Sequence, residues 1–230
     1  MLDNLTNALK RPFQDGKKIL IGCLLNIIPI VSLISQGYTL DCARLTMKKK
    51  NNLPEWNKLG KYFVDGLLRS LIGFIWFLPV LILVGIAVGG FLLPIIITAI
   101  QGGEIDWSSA IAPILGSVGI LVIAAIFFLF IIYLTPAAVL GFVDKGKFKE
   151  AFNFKRIFKK AFTGEYFIAW LVSGILGFFG MLIVMGVLFP LMLIPYLGNI
   201  IRMIIGSCVG FILGIIQITI LADEYRKIKA

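Results

Sequence analysis

Long apolar runs separated by short polar stretches dominate the chain, at residues 19–40, 67–100, 110–142, 167–194 and 197–221. A helix rises ~1.5 Å per residue, so about 20 apolar residues cross the ~30 Å hydrocarbon core of a bilayer. Each run reaches that length. The pattern predicts an all-α polytopic integral membrane protein built as a single membrane domain. Four full transmembrane helices are expected at 67–100, 110–142, 167–194 and 197–221, with a first segment, 19–40, that is either transmembrane or re-entrant. The run 67–100 would make roughly 50 Å of helix, too long for one upright span. Pro79, Pro94 and the Gly89-Gly90 pair are predicted to kink or end it. Pro113 and Pro136 sit near the two ends of the third run. The cluster Pro195-Tyr-Leu-Gly-Asn199 predicts a tight hairpin between the last two helices.

Charge decides how these runs are threaded. Residues 1–18 carry Lys10, Arg11, Lys17 and Lys18; the 41–69 and 143–166 loops are strongly basic; the 101–109 loop carries only Glu104 and Asp106. Cytoplasmic flanks take the Lys/Arg excess, which places 41–69, 143–166 and the C-terminus in the cytoplasm and 101–109 and 195–199 outside. The first segment breaks this alternation if it spans, because both of its flanks are basic. Pro29 divides it into halves of about ten residues, each ~15 Å long. Asn26, Ser32, Ser35 and Gln36 supply polar groups for backbone freed by a break. A re-entrant segment would put every basic cluster on one side. An ordinary spanning helix kinked at Pro29 remains the alternative.

Two amphipathic stretches stand between the runs. In 148–162, Phe154, Ile157, Phe158, Ala161 and Phe162 recur at helical spacing, with Lys155, Arg156, Lys159 and Lys160 on the other side. An aromatic face backed by cations predicts a helix in the headgroup plane, engaging anionic lipid through those residues, or a helix packed on the bundle. Residues 52–66 predict a second interfacial helix, with Pro54 in its first turn, an apolar face of Trp56, Leu59, Phe63 and Leu67, and Trp56 anchored at the interface. Gly206, Gly210 and Gly214 share one helix face, and Gly85 and Gly89 give a shorter copy. Both predict close helix packing within the bundle or at a homodimer seam. Pro29, Pro79, Pro136 and Pro195 are the predicted hinges or breaks.

The chain has 59% hydrophobic and 15% charged residues and a net charge of +10, a balance that belongs to membrane proteins whose basic loops meet anionic lipid. Nucleic acid is not needed to explain it. There is no His, and Cys23, Cys42 and Cys208 show no metal-ligand spacing, so no metal or other cofactor is expected. No Asp or Glu lies mid-run, no GxSxG or phosphate loop occurs, and Arg202, one turn past the predicted hairpin, reads as a residue snorkelling to the interface. A non-enzyme is expected, with membrane lipids as partners and a second copy or another membrane protein as further candidates.

Several stretches resemble the membrane-protein family catalogued as domain of unknown function 4013. They are Ala8-Leu-Lys-Arg-Pro-Phe13, Ile28-Pro-Ile-Val31 with Gly37-Tyr38, Leu53-Pro-Glu-Trp56, Phe63-Val-Asp-Gly-Leu67, Thr135-Pro-Ala-Ala138, Glu165-Tyr166 and Ala169-Trp-Leu-Val172. The closing Ala222-Asp-Glu-Tyr-Arg226 departs from the Gly-Gln-Leu-Tyr-type ending associated with that family. The resemblance implies a polytopic membrane protein and supplies no activity. The functional expectation is a membrane-organising or scaffold protein engaging anionic lipid or protein partners at its cytoplasmic face. The alternative is a permease or channel component for a small solute or lipid, with proline-broken segments as its discontinuous helices.

Overall fold

The computed structural model describes residues 2–102, 107–194 and 196–228, and among these only helices and turns occur. The helices are α1 (Leu2–Lys10), α2 (Gly16–Ile27), α3 (Ser32–Met47), α4 (Leu59–Ile100), α5 (Trp107–Lys145), α6 (Phe154–Ala161), α7 (Gly164–Leu188) and α8 (Leu197–Lys227). Short 3₁₀ turns at Arg11–Gln14, Phe148–Phe152 and Phe189–Leu193 join some of them. Four helical stretches are long and apolar enough to cross a membrane: Leu59–Ile100, Ile111–Lys145, Gly164–Leu191 and Leu197–Lys227. The chain divides into a larger unit, Met1–Ile72 with Pro136–Ala230, and a smaller one, Gly73–Thr135.

In the larger unit the first apolar run is two helices. Asp15 caps α2 by accepting from the Lys18 amide at 3.1 Å. α2 ends at Ile27, the chain turns through 28–31 around Pro29, and α3 runs back. Two side chains at this turn hold it together: Ser35 Oγ donates to Asn26 Oδ1 (2.8 Å), and Asn26 Nδ2 donates to the Ser207 carbonyl on α8 (2.9 Å). Both helices lie against α8. Gly22 leaves the room that the Phe211 ring occupies. Leu20 and Leu24 on α2, and Ile28 just past its end, are exposed apolar residues. At the other end of this hairpin, Lys18 Nζ bonds Glu55 (2.6 Å), which raises the lysine pKa, and Arg11 reaches Asn52 and Thr219. The start of α2 and the end of α3 therefore sit at one end of the unit, with the C-terminal half of α8.

α4 is longer than its apolar run. It begins at Leu59, so no separate helix forms over 52–66; residues 51–58 are irregular. Leu53 and Pro54 are buried there, and two carbonyls that a helix would have used accept from tyrosines instead: Pro54 from Tyr38 Oη (3.1 Å) and Glu55 from Tyr62 Oη (2.7 Å). The stripe Leu59, Phe63 and Leu67 is an exposed face of α4 itself. Pro79 and Pro94 lie inside α4, and Pro136 lies inside α5, without ending either helix. A proline removes one backbone bond, whereas a helix end in hydrocarbon would leave several carbonyls and amides without partners. Thr98 and Thr135 also donate to the carbonyls of Pro94 and Ile131 near two of these sites. Pro195 falls outside the described residues.

In the smaller unit Trp76, Val80, Ala87, Ala124, Ile131 and Leu134 are buried, and Phe77 meets Phe128 with ring centroids 5.8 Å apart. Ser117 donates to the Pro113 carbonyl, with its hydroxyl close to Gly90.

Candidate functional site

Of the residues that carry the family resemblance, Ala8, Arg11, Pro12, Gly37, Tyr38, Leu53, Pro54, Asp65 and Gly66 are buried in the larger unit, while Ile28–Val31 form the turn at the other end of the hairpin. Trp56, predicted to meet the interface, is half-buried and packs its ring within the larger unit. Its ring stacks on Tyr38 (centroids 4.0 Å, interplanar angle 10°), meets Tyr62 edge-on and lies beside Phe211, while Nε1 donates to the Lys18 carbonyl (2.9 Å). Offset-stacked and edge-to-face rings add to area burial, so this cluster locks the 51–58 segment to α2, α3 and α8.

α3 and α4 cross at two glycines. A Cβ on Gly37 would overlap the Tyr62 carbonyl oxygen, and a Cβ on Gly66 would overlap the Leu33 carbonyl oxygen. Backbone thus meets backbone in both directions. Beside this crossing, Arg44 makes a fork to Asp65 (2.5 and 3.1 Å) and reaches Asp41 (3.3 Å), which also takes Lys61 (3.3 Å). Further along, Arg69 Nη1 donates to Thr39 (2.7 Å) and Ser70 to Gln36 (3.3 Å). The Phe63–Leu67 and Gly37-Tyr38 motifs are a helix-crossing clasp.

Arg11 is the least exposed cation, at 0%. It donates to Thr46 Oγ1 (2.6 Å), Thr219 Oγ1 (2.9 Å) and the carbonyls of Cys42 (3.0 Å) and Asn52 (3.1 Å). All four partners are neutral, and burial pushes the guanidinium pKa down. Its Nε has no partner among the described atoms. One fork thereby joins the end of α1, α3, the 51–58 segment and α8. A cavity of about 110 Å³ adjoins it, lined by Asn7, Thr46, Lys49, Asn51, Thr219, Asp223 and Arg226.

α6 is capped by Asn153, whose Oδ1 accepts from the Arg156 amide (3.2 Å). Its charges divide in a way that spacing alone did not show. Arg156 pairs with Asp144 and Glu150, and Lys160 is buried, donating to the Tyr225 carbonyl (2.8 Å) with its ammonium 4.0 Å from the Tyr225 ring centre. Lys160 thus satisfies a carbonyl near the C-terminus of α8, where a cation also suits the helix dipole. Only Lys155 and Lys159 remain exposed. The apolar side divides too: Ile157 and Ala161 are buried, while Phe154 and Phe162 are 55% and 61% exposed and stack in a row through Phe158.

The same division runs through the whole basic end. Arg44, Arg156 and Arg226 are ion-paired within the chain, and Arg11 and Arg69 hold neutral acceptors. Among the described residues, Lys10, Lys17, Lys48, Lys49, Lys50, Lys58, Lys145, Lys147, Lys149, Lys155 and Lys159 are exposed and outside any ion pair. The predicted packing glycines fare differently. A Cβ on Gly85, Gly206 or Gly210 would meet open space, Gly89 nears only its own helix and Gly214 nears only Thr39. Close approach falls instead on Gly22, Gly37, Gly66, Gly177 and Gly180, which are not spaced as a repeat.

Four long apolar helices, tied at one end by a polar and aromatic girdle, define a multi-pass all-α membrane protein. The chain belongs to the family described as Protein of unknown function (DUF4013), whose model matches residues 20–189. No curated protein and no solved structure matches it.

Proposed function

We propose that the chain is a non-enzymatic, membrane-organising protein that gathers anionic lipid headgroups at its lysine-rich end, and that this end is cytoplasmic. The observation that carries the reading is the separation of the cations at this end: Arg11, Arg44, Arg69, Arg156 and Arg226 hold partners within the chain while eleven exposed lysines stand outside any ion pair. Each basic residue held near an anionic surface contributes ~1 kcal/mol of attraction, which a cluster of this size multiplies. The exposed Phe154 and Phe162 add apolar contact beside Lys155 and Lys159. The α2–α3 hairpin supports the same reading, since as a re-entrant wedge it keeps both of its basic flanks at that end.

Spin-labelled phosphatidylglycerol and phosphatidylcholine in proteoliposomes test it. The phosphatidylglycerol label is expected to show the larger motionally restricted fraction, a preference that weakens as salt shortens the screening length. Changing Lys145, Lys147, Lys149, Lys155 and Lys159 together to Gln removes most of the preference. Equal restriction of both lipids, or saturable solute flux through the same vesicles, would sink the reading in favour of a permease.

A further inference from the structure

We propose that the hairpin end of α7 and α8, remote from the lysine-rich end of α8, holds one phospholipid with an anionic headgroup: an acyl chain lies in the groove between the two helices, and Arg202 binds the phosphate. α7 and α8 touch closely where Gly177 faces Gln217 and Gly180 faces Leu213. Beyond those contacts, toward the Phe189–Leu193 turn, they part and leave a groove of about 610 Å³, within the ~300–1,000 Å³ usual for small-molecule sites. Met181 and Met185 form one wall and Met203 the other, and Gly206 lies between with open space where a Cβ would stand. Methionine side chains adapt to an irregular apolar guest. The bare position at Gly206, which its spacing marked for helix packing, is part of what keeps the groove open.

Arg202 is the one charged residue lining the groove, five positions into α8 and so ~8 Å along the helix from its start. No Asp or Glu occurs from Tyr166 to Ala222, and no ion pair involves Arg202 among the described residues. Neither α7 nor α8 up to Ala222, nor the turn between them, offers it a carboxylate beyond Glu165 at the far end of α7. A planar guanidinium takes two phosphate oxygens at once, a match a lipid headgroup offers at this depth. A second copy fits poorly, because a symmetric seam would bury two Arg202 side chains against acid-free faces.

Native mass spectrometry of the full chain, incubated in detergent with phosphatidylglycerol or phosphatidylcholine, tests the site. The wild type is expected to retain one phosphatidylglycerol roughly tenfold more strongly than phosphatidylcholine, the gain of a charge-assisted contact. Arg202→Gln brings the ratio near one, and Arg202→Lys keeps part of it. Gly206→Leu, by filling the groove, loses bound lipid of either kind. Should Gly206→Leu fail to fold, the Gln and Lys variants decide the matter alone. Unchanged retention across the Arg202 variants, or a wild-type dimer that Gly206→Leu dissociates, would overturn the proposal; placing every variant in a background with Lys145, Lys147, Lys149, Lys155 and Lys159 changed to Gln separates this site from the lysine-rich end.

Discussion

Gly66→Val is expected to be the most damaging single substitution in the larger unit, with Gly37→Val close behind. At each position an added Cβ lands on a backbone carbonyl oxygen of the partner helix, well inside the 3.0 Å limit that real Cβ atoms keep. A side chain in the way can rotate; a carbonyl in a helix cannot move without its helix. The clash must therefore push α3 and α4 apart, and that strains the Arg44–Asp65 fork and the Tyr38–Trp56–Tyr62 cluster together. Overpacking typically costs ~1–3 kcal/mol, and an obstacle made of backbone belongs at or above the top of that range. In thermal unfolding of the detergent-solubilised chain the expected loss is on the order of 10 °C. Gly60→Val and Gly73→Val, where the added Cβ meets nothing within 4 Å, serve as controls and should shift the transition little. Equal tolerance at Gly66 and Gly73 would remove the clasp from the account.

Arg11→Ala should come second. The substitution severs four hydrogen bonds at once and leaves Thr46, Thr219 and two carbonyls to find other partners. Bonds to a charged group are worth ~1.5–3 kcal/mol each, but relief from burying an uncompensated guanidinium offsets part of the sum, so a net loss of about 3 kcal/mol is expected. The damage is local: α1 and the Arg11–Gln14 turn lose their hold on α3 and α8. Limited proteolysis reads this directly, with cleavage expected at Lys10 and Lys17 far faster than in the wild type. Arg11→Lys should not rescue, because one ammonium cannot reach four acceptors spread around a planar fork. A proteolysis rate unchanged in Arg11→Ala would show that the four bonds do not hold the N-terminus.

What the sequence reveals, and what it hides, follows from the kind of signal each feature leaves. Apolar length exposes the four long helices, and Pro29 with its polar neighbours exposes the turn at 28–31. Most stretches of the resemblance in the larger unit mark contacts between its helices, but the sequence does not show their task. Periodicity over Trp56, Leu59, Phe63 and Leu67 is real, yet three of those residues are the outer face of α4 and the fourth is turned into a tyrosine pair by Pro54. Arg69 counts as a loop residue when the apolar run is taken to begin at residue 67; it lies well within α4 because the helix starts at Leu59. Lys160 shares the polar stripe of α6 with Lys159, and only the packing of α8 against it separates the buried cation from the exposed one. Glycine repeats draw the eye to Gly206 and Gly210, whereas the tight crossing uses two isolated glycines whose partners are carbonyls, which no spacing rule encodes.

The central claim is that the first apolar segment enters the membrane and returns, so that its two basic flanks share one side. Gln14 and Asn57 are exposed and neutral, flank the hairpin and lie at the same end of the unit, and Gln101 follows the far end of α4. In a background lacking the native cysteines, Gln14→Cys, Asn57→Cys and Gln101→Cys are labelled with a membrane-impermeant maleimide applied to sealed right-side-out and inverted vesicles. Gln14→Cys and Asn57→Cys are predicted to react in the inverted vesicles alone, and Gln101→Cys in the right-side-out vesicles alone. Reaction of Gln14→Cys on the side opposite Asn57→Cys would contradict the account.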